Sequence, residues 1–351
     1  MFKFNELKQI HLEITNNCQA SCPMCNRNIN GGLENPLIKL HDWSLDQFKT
    51  VMTQEVLDQL ESYYFCGNFG DPILNNDLIK MCAYSKVTAP NVRVTIHTNG
   101  GARNTEWWQT LAQALPANHK VVFALDGLAD THHLYRVGTD FNKVVENAQA
   151  FIQAGGTAEW VFIKFKHNEH QAEQAQTMSV KLGFKTFVLK NSSRFILEPK
   201  VKVLNRKGEL MHTIEPSTDV EMKFIDKSVI DSYKQIVEMS NISCKSQQDK
   251  EIYIDAYGDL LPCCWLASVP YSYINPDEAL AVRSEMLNQH HQLVHSLGNI
   301  NTFTRSVKDI VDSNSYQTVW DNYWTSNKLI TCARTCGVNT NFAKPRDQIV
   351  Q

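Results

Sequence analysis

Cys18-Gln-Ala-Ser-Cys22-Pro-Met-Cys25 follows directly on an alternating apolar/polar run, Ile10 to Thr15, that reads as a β-strand. Three thiols spaced C-x3-C-x2-C at a strand-to-loop junction can wrap three corners of a four-iron cluster, because thiolates are the ligands such clusters take. Three ligands for four irons leave one iron without a protein donor. An open coordination position is what metal chemistry needs and what a purely structural site lacks. A structural zinc site is the alternative reading of the spacing. A disulfide framework is not expected, since Met1-Phe-Lys-Phe-Asn-Glu carries no apolar signal segment behind Lys3. Ten cysteines without secretory context read as reduced thiols or metal ligands in a reducing compartment, so a cytoplasmic protein is expected.

At 351 residues the chain exceeds one average domain. Its 43% hydrophobic and 20% charged residues are ordinary for a soluble globular protein. No apolar run approaches the ~18 residues of a membrane span, and a net charge of −3 argues against a nucleic-acid footprint.

Outward from the cysteines, short strand-like runs alternate with helical ones. Strands are expected at Ile10–Thr15, Tyr63–Cys66, Val92–Thr98, Lys120–Asp126, Trp160–Lys166 and Phe184–Leu189. Helices are expected at Asp46–Leu60, around Trp107/Leu111/Leu115 and Val144/Ala148/Phe151, and at Asn168–Leu182, with Gly183 as a C-terminal cap. This alternation implies a parallel sheet with right-handed crossovers, and six units imply a partial (β/α)6 TIM-like barrel rather than a closed eight-stranded one. The unusual polar residues fall at strand ends: Cys18–Cys25, Gly67-Asn-Phe-Gly70-Asp71-Pro72, His97-Thr98-Asn99-Gly100, Asp126-Gly127, and Lys164/Lys166/Asn168. Strand C-termini are where barrel loops converge on a site, so the five clusters point to one pocket.

These residues resemble the radical SAM superfamily. The cysteine trio matches its cluster signature, in which S-adenosylmethionine chelates the free iron. Gly70-Asp71-Pro72 is similar to its G-G-E-P segment, with Asp71 where the family has Glu. Thr98-Asn99-Gly100 is similar to its T-N-G strand end. Ala124-Leu125-Asp126-Gly127 with His132 and Arg136 resembles an S-x-D-G…H-x-x-x-R stretch, with Ala124 in place of the serine. The resemblance implies that Gly70, Asp71, Pro72, Thr98, Asn99, Asp126 and Arg136 bind the cofactor, Arg136 through the methionine carboxylate. It also implies an apolar adenine contact from Met24. Cys66 stands as a candidate hydrogen-atom donor, and is otherwise, like Cys82, a small buried residue.

Residues 191–243 interrupt the alternation with a hairpin around Gly208 and a helix over Val229–Met239, read as a solvated connector between a core at 1–190 and a C-terminal unit at 244–351. That unit carries Cys244, Cys263, Cys264, Cys332 and Cys336, a hairpin over Glu251–Pro262, and a helix over Val307–Trp324. Gly258-x4-Cys263, Leu297-Gly-Asn and Cys332-x3-Cys336 resemble the SPASM/twitch extension of radical SAM enzymes, which implies a smaller α+β domain. The resemblance implies one auxiliary four-iron cluster held by Cys244, Cys263, Cys332 and Cys336, with zinc as the alternative occupant and Cys264 not a ligand. It further implies reductive cleavage of S-adenosylmethionine to a 5′-deoxyadenosyl radical that takes hydrogen from a substrate. The expected substrate is a peptide or protein, the alternative a small molecule or nucleotide, and the electron donor a flavodoxin or ferredoxin. A non-catalytic iron–sulfur electron-transfer or sensor protein is the reading from another class.

Overall fold

Six parallel strands, β1 (Gln9–Leu12), β2 (Ser62–Phe65), β3 (Arg93–Thr98), β4 (His119–Ala124), β5 (Ala158–Lys164) and β6 (Thr186–Asn191), lie side by side in sequence order. The computed structural model describes residues 1–192, 194–195, 200–219, 237–272, 280–338 and 349–350. Among these, β6 is not bonded back to β1 and the sheet stays open. Strand alternation divides its side chains between two faces. Ile10, Leu12, Tyr63, Phe65, Ile96, Phe123, Trp160, Phe162 and Phe187 join the main core, each large buried side chain worth roughly 1.5–3 kcal/mol. On the intervening positions Val122, Val161 and Val188 form a separate small cluster, and His11 stacks on Tyr64.

Strand bounds sit within about two residues of those expected, as termini fray, except that β1 ends at Leu12, three residues short of Thr15. Two expected helices are each split in two. Asp46–Leu60 becomes Leu45–Val51 and Gln54–Gln59, and Val307–Trp324 becomes Val307–Val311 and Asn314–Thr325. In both, a hydroxyl residue inside the apolar pattern starts a new helix: Thr53 accepts from the Val56 N–H and Ser313 from the Tyr316 N–H. Gly183 caps Ala172–Leu182 in the left-handed conformation, φ +90°.

The hairpin β7 (Val201–Leu204) and β8 (Leu210–Ile214) is not the solvated connector the sequence implied. Val203 and Ile214 pack with Tyr135, Phe165 and Phe195, and Met24 of the cysteine loop lies against them. The Leu204 N–H donates to Asn30 O at 2.8 Å, and His212 Nε2 to Leu134 O at 2.9 Å. Lys164 pairs with Asp219, and Lys166 with Glu215 at 2.8 Å. Most of the helix expected over Val229–Met239 lies outside the described residues.

β9 (Glu251–Ile254) and β10 (Leu260–Leu261) form the expected hairpin, but it is joined to the core. β9 pairs parallel with β1, from Gln9↔Glu251 to Leu12↔Ile254, so one sheet runs through both parts of the chain. The far edge of this sheet is β11 (Ile349–Val350), antiparallel to β6. Among the described residues no helix is long and apolar enough to cross a membrane.

The turn after β9 buries Asp255, and that burial, with the nearby carboxylates of Asp259 and Glu13, raises it to about 8 against the N–H groups of Asp259 and Tyr257. A raised acid contributes stability that is complete below its unfolded pKa and lost as pH climbs through the folded one. The unfolding free energy should therefore fall between pH 5 and pH 8, by on the order of a few kcal/mol, and Asp255→Asn should flatten that fall. An unchanged profile in the variant contradicts the assignment.

Candidate active site

The chain leaving β1 carries Cys18, Cys22 and Cys25 over the C-terminal ends of β1–β4, and four loops meet there. Gly70, from the loop after β2, is pressed onto β1's extension so closely that a Cβ would lie 1.9 Å from Thr15 O. No side chain fits in that space. The buried carboxylate of Glu13 holds the same loop by accepting from the Phe69 and Gly70 N–H groups at 2.8 and 3.1 Å, and from the Tyr253 hydroxyl.

Asp71 ties the first, second and third strand ends together. Its N–H donates to Asn17 O at 2.8 Å. Its carboxylate accepts from Thr98 Oγ1 at 3.0 Å, the Asn99 N–H at 2.7 Å and the Ile73 N–H at 3.2 Å. Burial lifts Asp71 to about 6 in spite of those donors. Thr98 is committed the same way, since its hydroxyl also accepts from the Gly100 N–H. Pro72 opens the short turn Pro72–Leu74, fully buried beneath the loop.

Asn99 keeps its side chain for the cysteines. Nδ2 points at Cys18 Sγ at 3.6 Å, while Oδ1 accepts from Gln19 Nε2 at 2.6 Å. On the opposite side Arg136 reaches Cys22 Sγ with Nη1 at 3.9 Å. Its Nε donates to the buried Asp126 carboxylate at 2.6 Å, whose other oxygen accepts from the Ile163 N–H at 2.6 Å. Asp126 therefore aims Arg136, and both its oxygens are used within the protein. His132 is scaffold: its ring lies between the Asp126 N–H and Thr139 Oγ1. Gly138, two residues after Arg136, runs beside the Gln19 backbone.

The donor set fits an iron–sulfur group. Burial pushes the Cys18 thiol up, and Asp71, Cys22 and Cys25 push it further. Burial also raises Cys22, opposed by Arg136 and assisted by Cys25. Cys18 and Cys22, desolvated and crowded with an N–H donor aimed at each sulfur, are poorly placed as free thiolates. They are well placed around a cationic iron core.

The second set gathers the four expected cysteines. Cys244 and Cys263 precede the helices Lys245–Asp249 and Cys264–Ser268, and Cys332 and Cys336 share one face of Ile330–Cys336. Burial raises Cys244 to about 11 and Cys263 to about 12, with the N–H groups of Gln247 and Leu266 opposing it. Cys332 is raised by burial and then by Cys263, Cys244 and Cys336, so all four share one neighbourhood. The Tyr316 hydroxyl, buried against Cys244 and Cys263, has no partner among the described residues, as a donor facing bound sulfide would. Burial raises the neighbouring Cys264 thiol, and Cys263, Cys66, Glu251 and Glu13 raise it further.

Residues 244–337 match the SPASM iron–sulfur cluster-binding domain. The fold of the whole chain is similar to that of SuiB from Streptococcus suis bound to S-adenosylmethionine, at 13% identity and TM-score 0.53, covering 89% of this chain and 67% of that one. SuiB bound to the precursor peptide SuiA aligns at 12% identity and TM-score 0.53, over 89% and 66%. BtrN in complex with AdoMet and 2-DOIA aligns at 15% identity and TM-score 0.48, over 93% and 92%. No curated protein matches the sequence.

Residues 244–337 thus form a SPASM domain, which goes with an iron–sulfur cluster, and the chain shares its fold with SuiB. Around the first cysteine trio Glu13, Gln19 and Asn68 also belong to the site; Gln19 and Asn68 lie inside the stretches Cys18–Cys25 and Gly67–Pro72, at positions whose own residue type carries no cue. Only Glu13 leaves a signal, as a carboxylate between the apolar Leu12 and Ile14.

Replacing Asp126 by Ala strands a buried guanidinium and the Ile163 N–H. It should lower stability by about 3 kcal/mol, since breaking a buried ion pair exposes the full desolvation cost of the remaining charge. Denaturant unfolding checks this, and a loss under about 0.5 kcal/mol, the range of an ordinary surface change, contradicts the pairing.

Proposed function

We propose that this chain is a radical SAM enzyme that modifies a peptide or protein. The observation that carries the reading is the cysteine trio at the strand ends, with the Asn99 amide aimed at Cys18 and the Arg136 guanidinium at Cys22. In this reading Cys18, Cys22 and Cys25 hold three irons and leave the fourth open. Arg136, aimed by Asp126, takes the methionine carboxylate, and the Gly67–Gly70 backbone gives the amino group close approach. Asp71, Pro72 and Thr98 act by holding Asn99 and that loop in register. Met24, lying against the hairpin cluster, offers the adenine an apolar surface.

Bound there, the reduced cluster and S-adenosylmethionine supply a 5′-deoxyadenosyl radical able to take a hydrogen atom from substrate. The protein positions both partners and excludes water. Cys244, Cys263, Cys332 and Cys336 fill every protein-facing corner of the auxiliary cluster, which suits electron relay rather than substrate binding. A flavodoxin or ferredoxin is the proposed donor, and ten free cysteines fit a reducing cytoplasm. The SuiA peptide bound to the similarly folded SuiB supports a peptide substrate. Cys66, raised to about 12 by burial and the nearby Glu13 and Asp71, stays protonated at neutral pH and is the thiol placed to return a hydrogen atom.

Anaerobically reconstituted protein should bind about eight irons, and about four after Cys332→Ala/Cys336→Ala. With dithionite and S-adenosylmethionine it should release 5′-deoxyadenosine. Co-expressed candidate peptides should gain a mass change that is lost in Cys18→Ala. Reducible clusters without any cofactor cleavage would sink the enzyme reading, and turnover that only a small molecule stimulates would sink the peptide.

A further inference from the structure

Asn68 links the first cysteine loop to the peptide that follows Cys263 of the second set. Its backbone carbonyl lies 3.8 Å from Cys25 Sγ. Its side-chain Nδ2 donates to the Cys264 carbonyl at 2.9 Å, and to the Tyr253 hydroxyl at 3.3 Å. Cys264 follows Cys263, one of the four auxiliary thiols, by a single peptide bond.

A short path therefore runs from Cys263 along the backbone to the Cys264 carbonyl, across one hydrogen bond into the Asn68 side chain, and out through the Asn68 carbonyl to Cys25. It contains one hydrogen bond of ordinary length and one through-space gap. Tunnelling decays far more steeply through space than through covalent and hydrogen bonds, so such a path outweighs longer ones made of van der Waals contacts. The geometry is also held rigidly. Tyr253 sits in β9, which is paired with β1, and its hydroxyl bonds Glu13, which in turn fixes the Phe69 and Gly70 N–H groups on either side of the next peptide. Asn68 is thus locked between the radical SAM loop and the auxiliary domain.

We infer that Asn68 is the electronic bridge between the two cluster sites, an inference that rests on the cofactor reading above. One electron crossing it oxidises one iron–sulfur group and reduces the other, with no bond made or broken. The electron enters from a one-electron reductant of the flavin or iron–sulfur class.

The test is flash photoreduction with a deazaflavin that injects less than one electron per reconstituted protein, followed by freeze-quench electron paramagnetic resonance. The electron first lands at either cluster and then redistributes to the one of higher potential. Asn68→Leu, which keeps the backbone and removes the donor, should slow redistribution at least tenfold while iron content and the two reduced signals stay as in the parent. Asn68→Asp, which replaces the donor amide by an acceptor of the same shape, should slow it similarly. Equal rates in parent and variants overturn the bridge. A role limited to holding the loop would lower iron content or broaden the signals without changing the rate in intact molecules, and that outcome also overturns it. Parent protein that binds only one cluster would instead defeat the cofactor reading, and iron analysis tells the two failures apart.

Discussion

One close contact underlies the site: the loop after β2 lies flat against the continuation of β1. Two features of the sequence make this possible. Gly70 has no Cβ, and one would lie 1.9 Å from Thr15 O; Glu13 places a carboxylate where the Phe69 and Gly70 N–H groups would otherwise be buried unpaired. Without this contact Asp71 could not reach Asn17, Thr98 and Asn99 together, and the Asn99 amide would not meet Cys18. The position of the cysteine loop is therefore set from outside the loop, by backbone groups and one buried acid.

The same acid joins the core to the C-terminal part. Tyr253 donates to Glu13 from β9, a strand added in parallel to β1. The auxiliary cysteines are consequently not on a tethered module. They hang from the same sheet that carries the first trio. On the other side, the β7–β8 hairpin packs its small apolar cluster under Met24 and Tyr135, so the cysteine loop is enclosed by elements far away in the chain.

The fold was legible where one physical signal dominated. Each of the six strands shows apolar alternation closed by glycine, asparagine or aspartate, and the cysteine spacings announce both metal sites. Helix ends were less legible, because Thr53 and Ser313 sit inside runs whose apolar period continues across them, and only the cap hydrogen bond reveals the break. Motif reading alone did not show how Asp71 and Asp126 are engaged within the protein. Both carboxylates are consumed by backbone and side-chain donors, and they position Asn99 and Arg136. Asn68 was invisible because its importance comes from what stands opposite it, the Cys264 carbonyl nearly two hundred positions away, and no local pattern encodes such a partner.

The central claim is that Cys18, Cys22 and Cys25 leave one iron of a four-iron group open to a sulfonium cofactor. Mössbauer spectroscopy of the Cys332→Ala/Cys336→Ala protein, reconstituted with iron-57, tests this without interference from the auxiliary site. The account predicts a four-iron signal in which about a quarter of the iron changes its isomer shift when S-adenosylmethionine is added, as expected when a single site gains ligands. A spectrum that S-adenosylmethionine leaves unchanged, or a protein that holds one tetrahedral zinc in place of the iron, would contradict it.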